Sequence, residues 1–378
     1  MTTTFPEPRA AYIHVPFCAH RCGYCDFTLV AGKDHLIGEY LNALDRELQT
    51  LQTPREIDTL FLGGGTPTHL STSELQRLLV LLSRWFILAP GYEFSVEANP
   101  AGFDDDKIKL LTHHGVNRVS LGAQAFDLQT LRLLERDHIA ETIVDAATRV
   151  RRRIANFSLD LIFGVPHQTL AAWRETLRRS IELQPAHIST YGLTYEKGTA
   201  FWSRRHHGVV NPLTDDVERA MYAAAMDELP AAGFDQYELS NFARPGGCCR
   251  HNRVYWAGGP YFGFGPGAAR YIDGRRETNH RSVTTWLHRV FTGRSPIGEA
   301  EQLAPEDRAR EALVLGLRRA EGVSRRDFLK LTGYVLDDLA TPAIRRHVAT
   351  GLLEDTETGI RLTHKGKFFA DSVIIDFL

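Results

Sequence analysis

The chain has 378 residues, of which 43% are hydrophobic and 24% charged, so it is long enough for two or three domains and too apolar for wholesale disorder. Its 44 lysines and arginines nearly balance 46 aspartates and glutamates. The resulting formal charge of −2 argues against a nucleic-acid binder that relies on a global positive field. We therefore expect no nucleic-acid partner.

The apolar runs are short. No segment approaches the roughly 18 uninterrupted apolar residues of a membrane-spanning helix. The first ten residues, MTTTFPEPRA, have neither the basic region nor the apolar region of a secretory signal. We expect a cytoplasmic protein.

Short β-rich runs alternate with helical patterns through the first half of the chain. Apolar residues recur every three or four positions in 36–48 and 75–82, and 168–183 predicts a further helix. Strand–helix alternation predicts parallel strands joined by right-handed crossovers. The fold class is therefore α/β, a partial (β/α)6 barrel whose six strands are predicted at 12–15, 59–62, 93–97, 118–121, 157–162 and 187–191.

The pattern changes after about Tyr195. A helix is predicted at 215–229, and a stretch rich in glycine and proline follows. The last seventy or so residues predict a helix, a glycine turn, a short strand and a final helix, as in a winged-helix-like α+β module. We divide the chain into a core (1–195), an extension (196–300) and a C-terminal module (301–378).

The five cysteines fall into two tight clusters, Cys18–Cys22–Cys25 and Cys248–Cys249. Clustered cysteines in a reducing compartment indicate a metal or redox site more often than a disulfide framework. Three thiolates on one loop can fill three corners of a metal site and leave one position open for chemistry.

The spacing of the first cluster leaves three interpretations open. One is an iron–sulfur cluster, and another is three unrelated buried cysteines. The third is a structural zinc site whose fourth ligand is His14, His20 or Asp26.

Polar residues stand at the ends of several predicted strands. The glycine-rich segment 63–67 follows the second strand, Glu97 ends the third, Gln124 follows the fourth and Asp160 lies in the fifth. Each of them alone fits a solvated strand end or a helix cap. Because parallel strands end at one rim of such folds, all of them together predict a binding site there.

The second dense motif is HNRVYW, which begins at His251. Imidazole is a standard haem ligand, and aromatic rings can line a porphyrin plane. The residues by themselves favour a hydrogen-bonded histidine at a packed turn. The adjacent Cys248 and Cys249 are predicted to be small apolar residues rather than ligands.

The CxxxCxxC motif directly after the first strand resembles the signature of radical S-adenosylmethionine (SAM) enzymes. Its context, YIHVPFC before the loop and CDF at its end, is closely similar to the coproporphyrinogen-III-oxidase-like family. The resemblance covers nearly the whole chain. It implies a 4Fe-4S cluster on Cys18, Cys22 and Cys25, with SAM bound at the fourth iron.

The same resemblance implies a set of SAM-binding residues and reductive cleavage of SAM. That chemistry needs an electron donor such as flavodoxin or ferredoxin. The GGGTP motif would contact the SAM amino group, Arg136 its carboxylate, and three strand-end residues its other polar groups including the ribose. The implied residues are Gly64, Gly65 and Thr66 of that motif, Glu97, Gln124 and Asp160 at the strand ends, Arg136, and Tyr12, Tyr24 and Gly192 near the cofactor.

The HNxxYW motif is typical of the haem-chaperone members of this family, where it is linked to haem binding. The resemblance thus implies haem at His251 and its delivery to haem proteins, including membrane-associated ones. The alternative is oxygen-independent coproporphyrinogen III oxidase, whose pattern has another cysteine where this chain has Phe27. Ala269 also departs, because related sequences often carry histidine there. A zinc-stabilised binding protein without radical chemistry is the third reading.

Overall fold

The structure, a computed structural model, describes residues 6–378. The strands are numbered along the chain. They are β1 (Ala10–Val15), β2 (Phe17–Cys18), β3 (Val30–Ala31), β4 (Arg55–Gly64), β5 (Phe86–Ala98), β6 (Arg118–Gln124), β7 (Asn156–Phe163), β8 (His187–Gly192), β9 (Asp235–Gln236), β10 (Asn241–Ala243), β11 (Phe262–Phe264), β12 (Ala269–Ile272), β13 (Arg275–Asn279), β14 (Ile297–Gln302), β15 (Val323–Ser324), β16 (Leu353–Asp355) and β17 (Gly359–Leu362).

The helices are numbered in the same way. Within residues 6–378 none of them has both the length and the apolar character needed to cross a membrane. They are α1 (Ile37–Leu48), α2 (Thr72–Trp85), α3 (Asp105–His113), α4 (Leu128–Leu133), α5 (Ala140–Arg151), α6 (Leu170–Glu182), α7 (Ala200–His206), α8 (Asp215–Ala231), α9 (Arg250–Trp256), α10 (Val283–Phe291), α11 (Pro305–Leu317), α12 (Arg325–Thr332), α13 (Leu336–Ala349), α14 (His364–Lys367) and α15 (Ala370–Ile374).

Nine strands form one sheet in the order β11-β1-β4-β5-β6-β7-β8-β10-β9. Neighbours from β11 to β8 are parallel, whereas β10 and β9 are antiparallel. Among the described residues, the edge strands β11 and β9 do not pair with each other. The sheet is therefore an open, partial barrel, and the predicted fold class is confirmed.

The six predicted strands correspond to β1 and β4 to β8. The sheet is three strands larger than predicted, because β9, β10 and β11 extend it at both edges. Each of these strands has only two or three residues. Runs this short carry no two-residue alternation, so only their pairing partners in the folded chain define them.

Local sequence explains how the first two helices form and pack. Ser71 caps α2: its hydroxyl accepts the Glu74 backbone N–H at 3.3 Å, and its own N–H donates to the Glu74 carboxylate at 2.9 Å. The apolar stripe of α1 is buried against the sheet. Its Tyr40 hydroxyl also donates to the His14 carbonyl at 2.8 Å. This bond ties α1 to the end of β1, which leads into the cysteine loop.

The C-terminal module has its own core. Strands β15, β17 and β16 form a three-stranded antiparallel sheet, and Phe328, Leu336, Ile344 and Ile360 are buried together beside it. The order of helices and strands is that of the predicted winged-helix-like α+β module. Strands β9 to β11, from the predicted extension, belong to the main sheet. The boundaries placed at 195 and 300 stay predictions.

The edge strand β11 offers a test of this architecture. A Cβ on Gly263 would collide with the Ala269 carbonyl oxygen, a backbone atom that cannot rotate away. We expect Gly263→Ala to lower the free energy of unfolding by about 3 kcal/mol in urea denaturation. Gly38, exposed near the start of α1 with nothing within 4 Å of an added Cβ, is the matched control. Gly38→Ala should be neutral or slightly stabilising. Equal stability of both variants would contradict this packing.

Candidate functional site

The carboxyl ends of the parallel strands gather the residues predicted for SAM. Gly64 ends β4, Glu97 is the penultimate residue of β5, Gln124 ends β6 and Gly192 ends β8. Asp160 lies inside β7. Because these strands are neighbours and parallel, the structure brings these positions to one edge of the sheet, where the strands end. Sequence reasoning placed them together for the same geometric reason.

The cysteine loop begins where β2 ends. The Cys18 thiol lies 3.1 Å from the Thr66 hydroxyl, and the Cys25 N–H donates to the Cys22 carbonyl at 3.0 Å. Burial, together with the nearby Cys25 and Cys22 thiols, raises the pKa of the Cys18 thiol to about 11, although the Thr66 hydroxyl opposes the shift. Burial also raises the pKa of Cys25. The thiols lie close enough to influence one another, and a bound metal would have to displace their protons.

The glycine turn after β4 is pressed against β1 and β2. Gly64 has φ of +108°, and a Cβ there would collide with the His14 ring. A Cβ on Gly65 would lie 2.7 Å from the Phe17 carbonyl oxygen. The Gly64 N–H donates to the Glu97 carboxylate at 3.0 Å. Only glycine lets this backbone approach the strand that carries Cys18.

Two half-buried carboxyl groups lie near each other beside the turn, and one of them, Glu97, bonds to it. Burial, and then the neighbouring Asp160, raise the pKa of Glu97 to about 7. Burial also raises the pKa of Asp160, opposed by hydroxyl donors from Ser120 and Ser189, each 2.9 Å from Oδ1. No cation neutralises Glu97 directly within the described residues, so this pair can accept hydrogen bonds from a polar or cationic ligand.

Arg136 joins the cysteine loop to β6. Its guanidinium donates to the Gly122 carbonyl at 3.1 Å and to the Cys22 thiol at 3.7 Å. Its Nε is buried and has no partner among the described residues. Tyr24 lies beside it, and burial raises the pKa of that phenol although Arg136 opposes the shift. An unpaired guanidinium N–H in this place fits a ligand carboxylate.

Tyr12 and Gln124 are each placed by a specific local feature, a hydrogen bond for Tyr12 and a glycine neighbour for Gln124. The Tyr12 hydroxyl lies 3.0 Å from His14 Nδ1, and His14 Nε2 lies 2.6 Å from the Thr28 carbonyl, so Tyr12 is linked to the chain just after the cysteines. Gln124 has φ of +64°, and its amide nitrogen lies 2.9 Å from where a Gly122 Cβ would stand. Glycine at 122 therefore leaves room for this amide.

Each of the three residues considered as a fourth zinc ligand contacts another group of the protein. Both nitrogens of His14 are hydrogen-bonded, and burial lowers its pKa to about 4. His20 Nε2 lies 3.4 Å from the Glu135 carboxylate, and Asp26 pairs with Arg281 at 3.3 Å. Within residues 6–378, no group of three or more His, Cys, Asp and Glu side chains is arranged to hold a single metal ion.

His251 lies beneath β4, on α9. Its ring is 1% exposed and stacks on Phe61 with a centroid distance of 5.1 Å. Nδ1 lies 2.8 Å from the Thr59 hydroxyl, and Nε2 lies 2.7 Å from the Tyr255 hydroxyl. Burial lowers its pKa to about 3. The structure thus places His251 as a packed, hydrogen-bonded histidine with both ring nitrogens in use.

Sequence reasoning missed the group that holds this helix. The buried Glu93 carboxylate of β5 accepts the backbone N–H groups of Arg250 and His251, each at 3.0 Å, at the start of α9. The Cys249 thiol, 3% exposed, lies 3.6 Å from the same carboxylate. A glutamate between the aromatic residues Tyr92 and Phe94 of a strand was the available signal, since a buried charge needs partners.

Arg281 was also missed. Its guanidinium donates to the Asp26 carbonyl and, at 3.2 Å, to the Thr28 hydroxyl, so the residue just before the N-cap of α10 holds the chain that follows Cys25. An arginine 256 positions downstream of a cysteine has no local sequence signal for such a contact.

Two protein-family models match the chain. The Radical SAM superfamily model matches residues 12–179, and the HemN C-terminal domain model matches residues 303–369. The first match covers the cysteine loop and most of the parallel strands, and the second covers most of the C-terminal module.

A solved structure has the same fold. Coproporphyrinogen III oxidase (HemN) from Escherichia coli, a radical SAM enzyme, matches 100% of this chain and 91% of its own with a TM-score of 0.86. The two sequences are 23% identical, so this likeness concerns the fold alone.

Sequence relatives are more informative. The heme chaperone HemW of Bacillus subtilis (strain 168) is 36% identical over 377 residues, which cover 98% of this chain and 99% of the relative. The heme chaperone HemW of Escherichia coli (strain K12) is 35% identical, with 98% of both chains covered. That of Synechocystis is 39% identical over 85% of this chain and 81% of the relative. The chain belongs to the family of the heme chaperone HemW, within the radical SAM superfamily.

Proposed function

We propose that this protein is a radical-SAM-type haem chaperone, which binds a 4Fe-4S cluster, SAM and haem and delivers haem to haem proteins. The observation that carries the proposal is one shared arrangement. Three thiols on a short loop adjoin a glycine turn and two half-buried carboxyl groups, and the HNxxYW helix packs under the strand that bears that turn. Relatives named as heme chaperones align over almost the whole chain.

The side chains present suit a cluster and SAM. The donor set is three thiols, and the buried unpaired Nε of Arg136 lies beside them. When bound, this pair of cofactors supplies one-electron reductive chemistry. Cys18, Cys22 and Cys25 would hold the cluster; Gly64, Gly65, Thr66, Glu97, Gln124, Asp160 and Arg136 would bind SAM, with Tyr12, Tyr24 and Gly192 beside it.

Phe27 favours the chaperone over coproporphyrinogen III oxidase. It stands where the oxidase pattern carries a further cysteine, and its side chain is 60% exposed on the cysteine loop. We propose a cytoplasmic protein whose partners are haem, haem-accepting proteins including membrane-associated ones, and an electron donor of the flavodoxin or ferredoxin type.

The cluster assignment predicts that Cys18, Cys22 and Cys25, but not Cys248, are needed to hold the cluster. Cys18→Ala, Cys22→Ala and Cys25→Ala should each abolish stable cluster assembly in anaerobic reconstitution, because each removes one of three ligands. Cys248→Ala is the matched control and should retain the cluster, since that half-buried thiol lies in the other cysteine pair. Iron and sulfide analysis measures the outcome. Zinc without iron in the wild type would contradict the proposal.

The raised pKa of Glu97 predicts a pH dependence of SAM binding. A carboxylate accepts hydrogen bonds more strongly than a carboxylic acid, and Glu97 ionises at a pH of about 7. We expect SAM affinity to rise roughly tenfold from about pH 6 to about pH 8, and to be flat in Glu97→Gln. Calorimetric titration of the reconstituted protein measures it, with the exposed Glu141→Gln on α5 as control. If SAM affinity in Glu97→Gln depended on pH as it does in the wild type, Glu97 would not be part of the SAM site.

The haem assignment predicts a role for the HNxxYW motif. Wild-type protein should give a saturable Soret change on haem titration, and His251→Ala should weaken binding at least about tenfold. The substitution leaves the Thr59 and Tyr255 hydroxyls without their shared partner. The exposed His288→Ala on α10 should bind like the wild type. No Soret change in the wild type would contradict haem binding.

A further inference from the structure

The HNxxYW motif can meet a ligand only through residues after its histidine. His251 is buried, and its two nitrogens are bonded to Thr59 and Tyr255. An iron atom at either nitrogen would require one of these hydrogen bonds to break inside a packed region, and a buried group left unpaired is costly. Tyr255, which receives the Nε2 contact, borders a cavity.

This cavity has a volume of about 350 Å³ and lies between the segment 255–276 and the C-terminal module. Tyrosines line one side. The rings of Tyr255 and Tyr261 meet edge to face at 4.6 Å, and Tyr261 pairs with Tyr271 through two backbone hydrogen bonds of 2.9 and 3.0 Å. Gly258 and Gly259 contribute a wall without side chains. We call this space the tyrosine cavity.

The C-terminal module contributes aliphatic side chains to the tyrosine cavity, next to the polar Thr332. Ala312 and Leu315 of α11 and Leu331 of α12 line it, and all three belong to the C-terminal module. Aromatic rings on one side and aliphatic side chains on the other suit the two faces of a flat apolar molecule. Sites of this kind are frequent where two modules meet.

The tyrosine cavity also carries positive groups. Arg276 and Arg308 line it together with the acidic Glu311, and the Arg276 guanidinium lies 5.9 Å from the Tyr271 ring centroid. Arg276 contacts the Glu311 and Glu301 carboxylates at 2.6 and 3.4 Å. Guanidinium groups bind carboxylates through paired hydrogen bonds, and a ligand carboxylate can take the place of the longer Glu301 contact.

A second cavity of about 810 Å³ shares Ala312 and Leu331 with the first. Its wall carries acidic Glu321 and Asp327 as well as arginines, together with threonines such as Thr358. These two carboxylates suit a flat apolar molecule with carboxylates less well than the wall of the tyrosine cavity does, where the single carboxylate of Glu311 stands beside two arginines.

We propose that the tyrosine cavity binds the macrocycle of haem, with its carboxylates toward Arg276 and Arg308, and that Tyr255 is the motif residue in contact with it. This inference rests on the proposed haem-chaperone function. His251 is then a positioning residue, which acts on the ligand by holding the Tyr255 phenol. The cavity is smaller than a whole haem, so part of the cargo stays exposed to an acceptor protein, as transfer requires.

Cavity-filling variants test the location. Leu315→Trp fills the tyrosine cavity and should weaken haem binding at least about tenfold in a Soret titration. Thr358→Trp, which narrows only the larger cavity, is the matched control and should stay within about twofold of the wild type. Retained cluster and SAM spectra report correct folding. If Leu315→Trp fails to fold, Tyr261→Ala serves in its place, with the same expected loss.

A double-mutant cycle tests the role of His251. If His251 acts through Tyr255, the two substitutions remove the same interaction. The haem affinity of the double variant Tyr255→Phe with His251→Gln should then lie within about twofold of that of the single variant that binds haem more weakly. If the losses of haem affinity in the two single variants add up in the double variant, His251 does not act through Tyr255 and the inference is overturned. Wild-type haem affinity in both Leu315→Trp and Tyr261→Ala would overturn the proposed location. Either result would leave haem binding itself intact. Absence of haem binding by the wild type would instead overturn the proposed function itself.

Discussion

The close approach of the Gly64–Gly65 turn to the end of β1 is the constraint on which the site depends. A side chain at either glycine would meet the His14 ring or the Phe17 carbonyl, so the turn can lie against the strand that leads to Cys18 only because both residues lack a Cβ. The Gly64 N–H bond to Glu97 then joins the turn to the next strand. The cysteine loop, the glycine turn and the half-buried Glu97 carboxyl group are held as one unit.

The second half of the chain is tied to this unit by buried polar contacts. The Glu93 carboxylate holds the first N–H groups of α9, and His251 of that helix reaches Thr59 on β4. Such groups are stable in a core only when their partners are in place. These hydrogen bonds therefore fix the position of the HNxxYW helix relative to the strand that ends in the glycine turn. A change in one motif has a physical route to the other.

The C-terminal module completes a cavity that the segment 255–276 cannot form alone. Tyr255, Tyr261 and Tyr271 come from the segment after β10, whereas Ala312, Leu315 and Leu331 come from α11 and α12. Arg276 reaches across to Glu311, and Arg253 reaches Glu321 at 2.9 Å. A ligand between these parts would touch both. Its binding would then strengthen the junction, because anything that binds only the assembled form stabilises it.

The amino-acid sequence alone determined the alternation of strands and helices, the six parallel strands, the C-terminal module and the rim that carries Glu97, Gln124 and Asp160. These follow from local periodicity and from the rule that parallel strands end at one edge. Tertiary structure alone decided the pairing of the short strands β10 and β11 with β8 and β1, the Glu93 contact with α9, the contact of Arg281 with the cysteine loop and the hydrogen bond between His251 and Thr59. Each of these joins residues far apart along the chain, and no local pattern records a partner that only folding brings within hydrogen-bond distance.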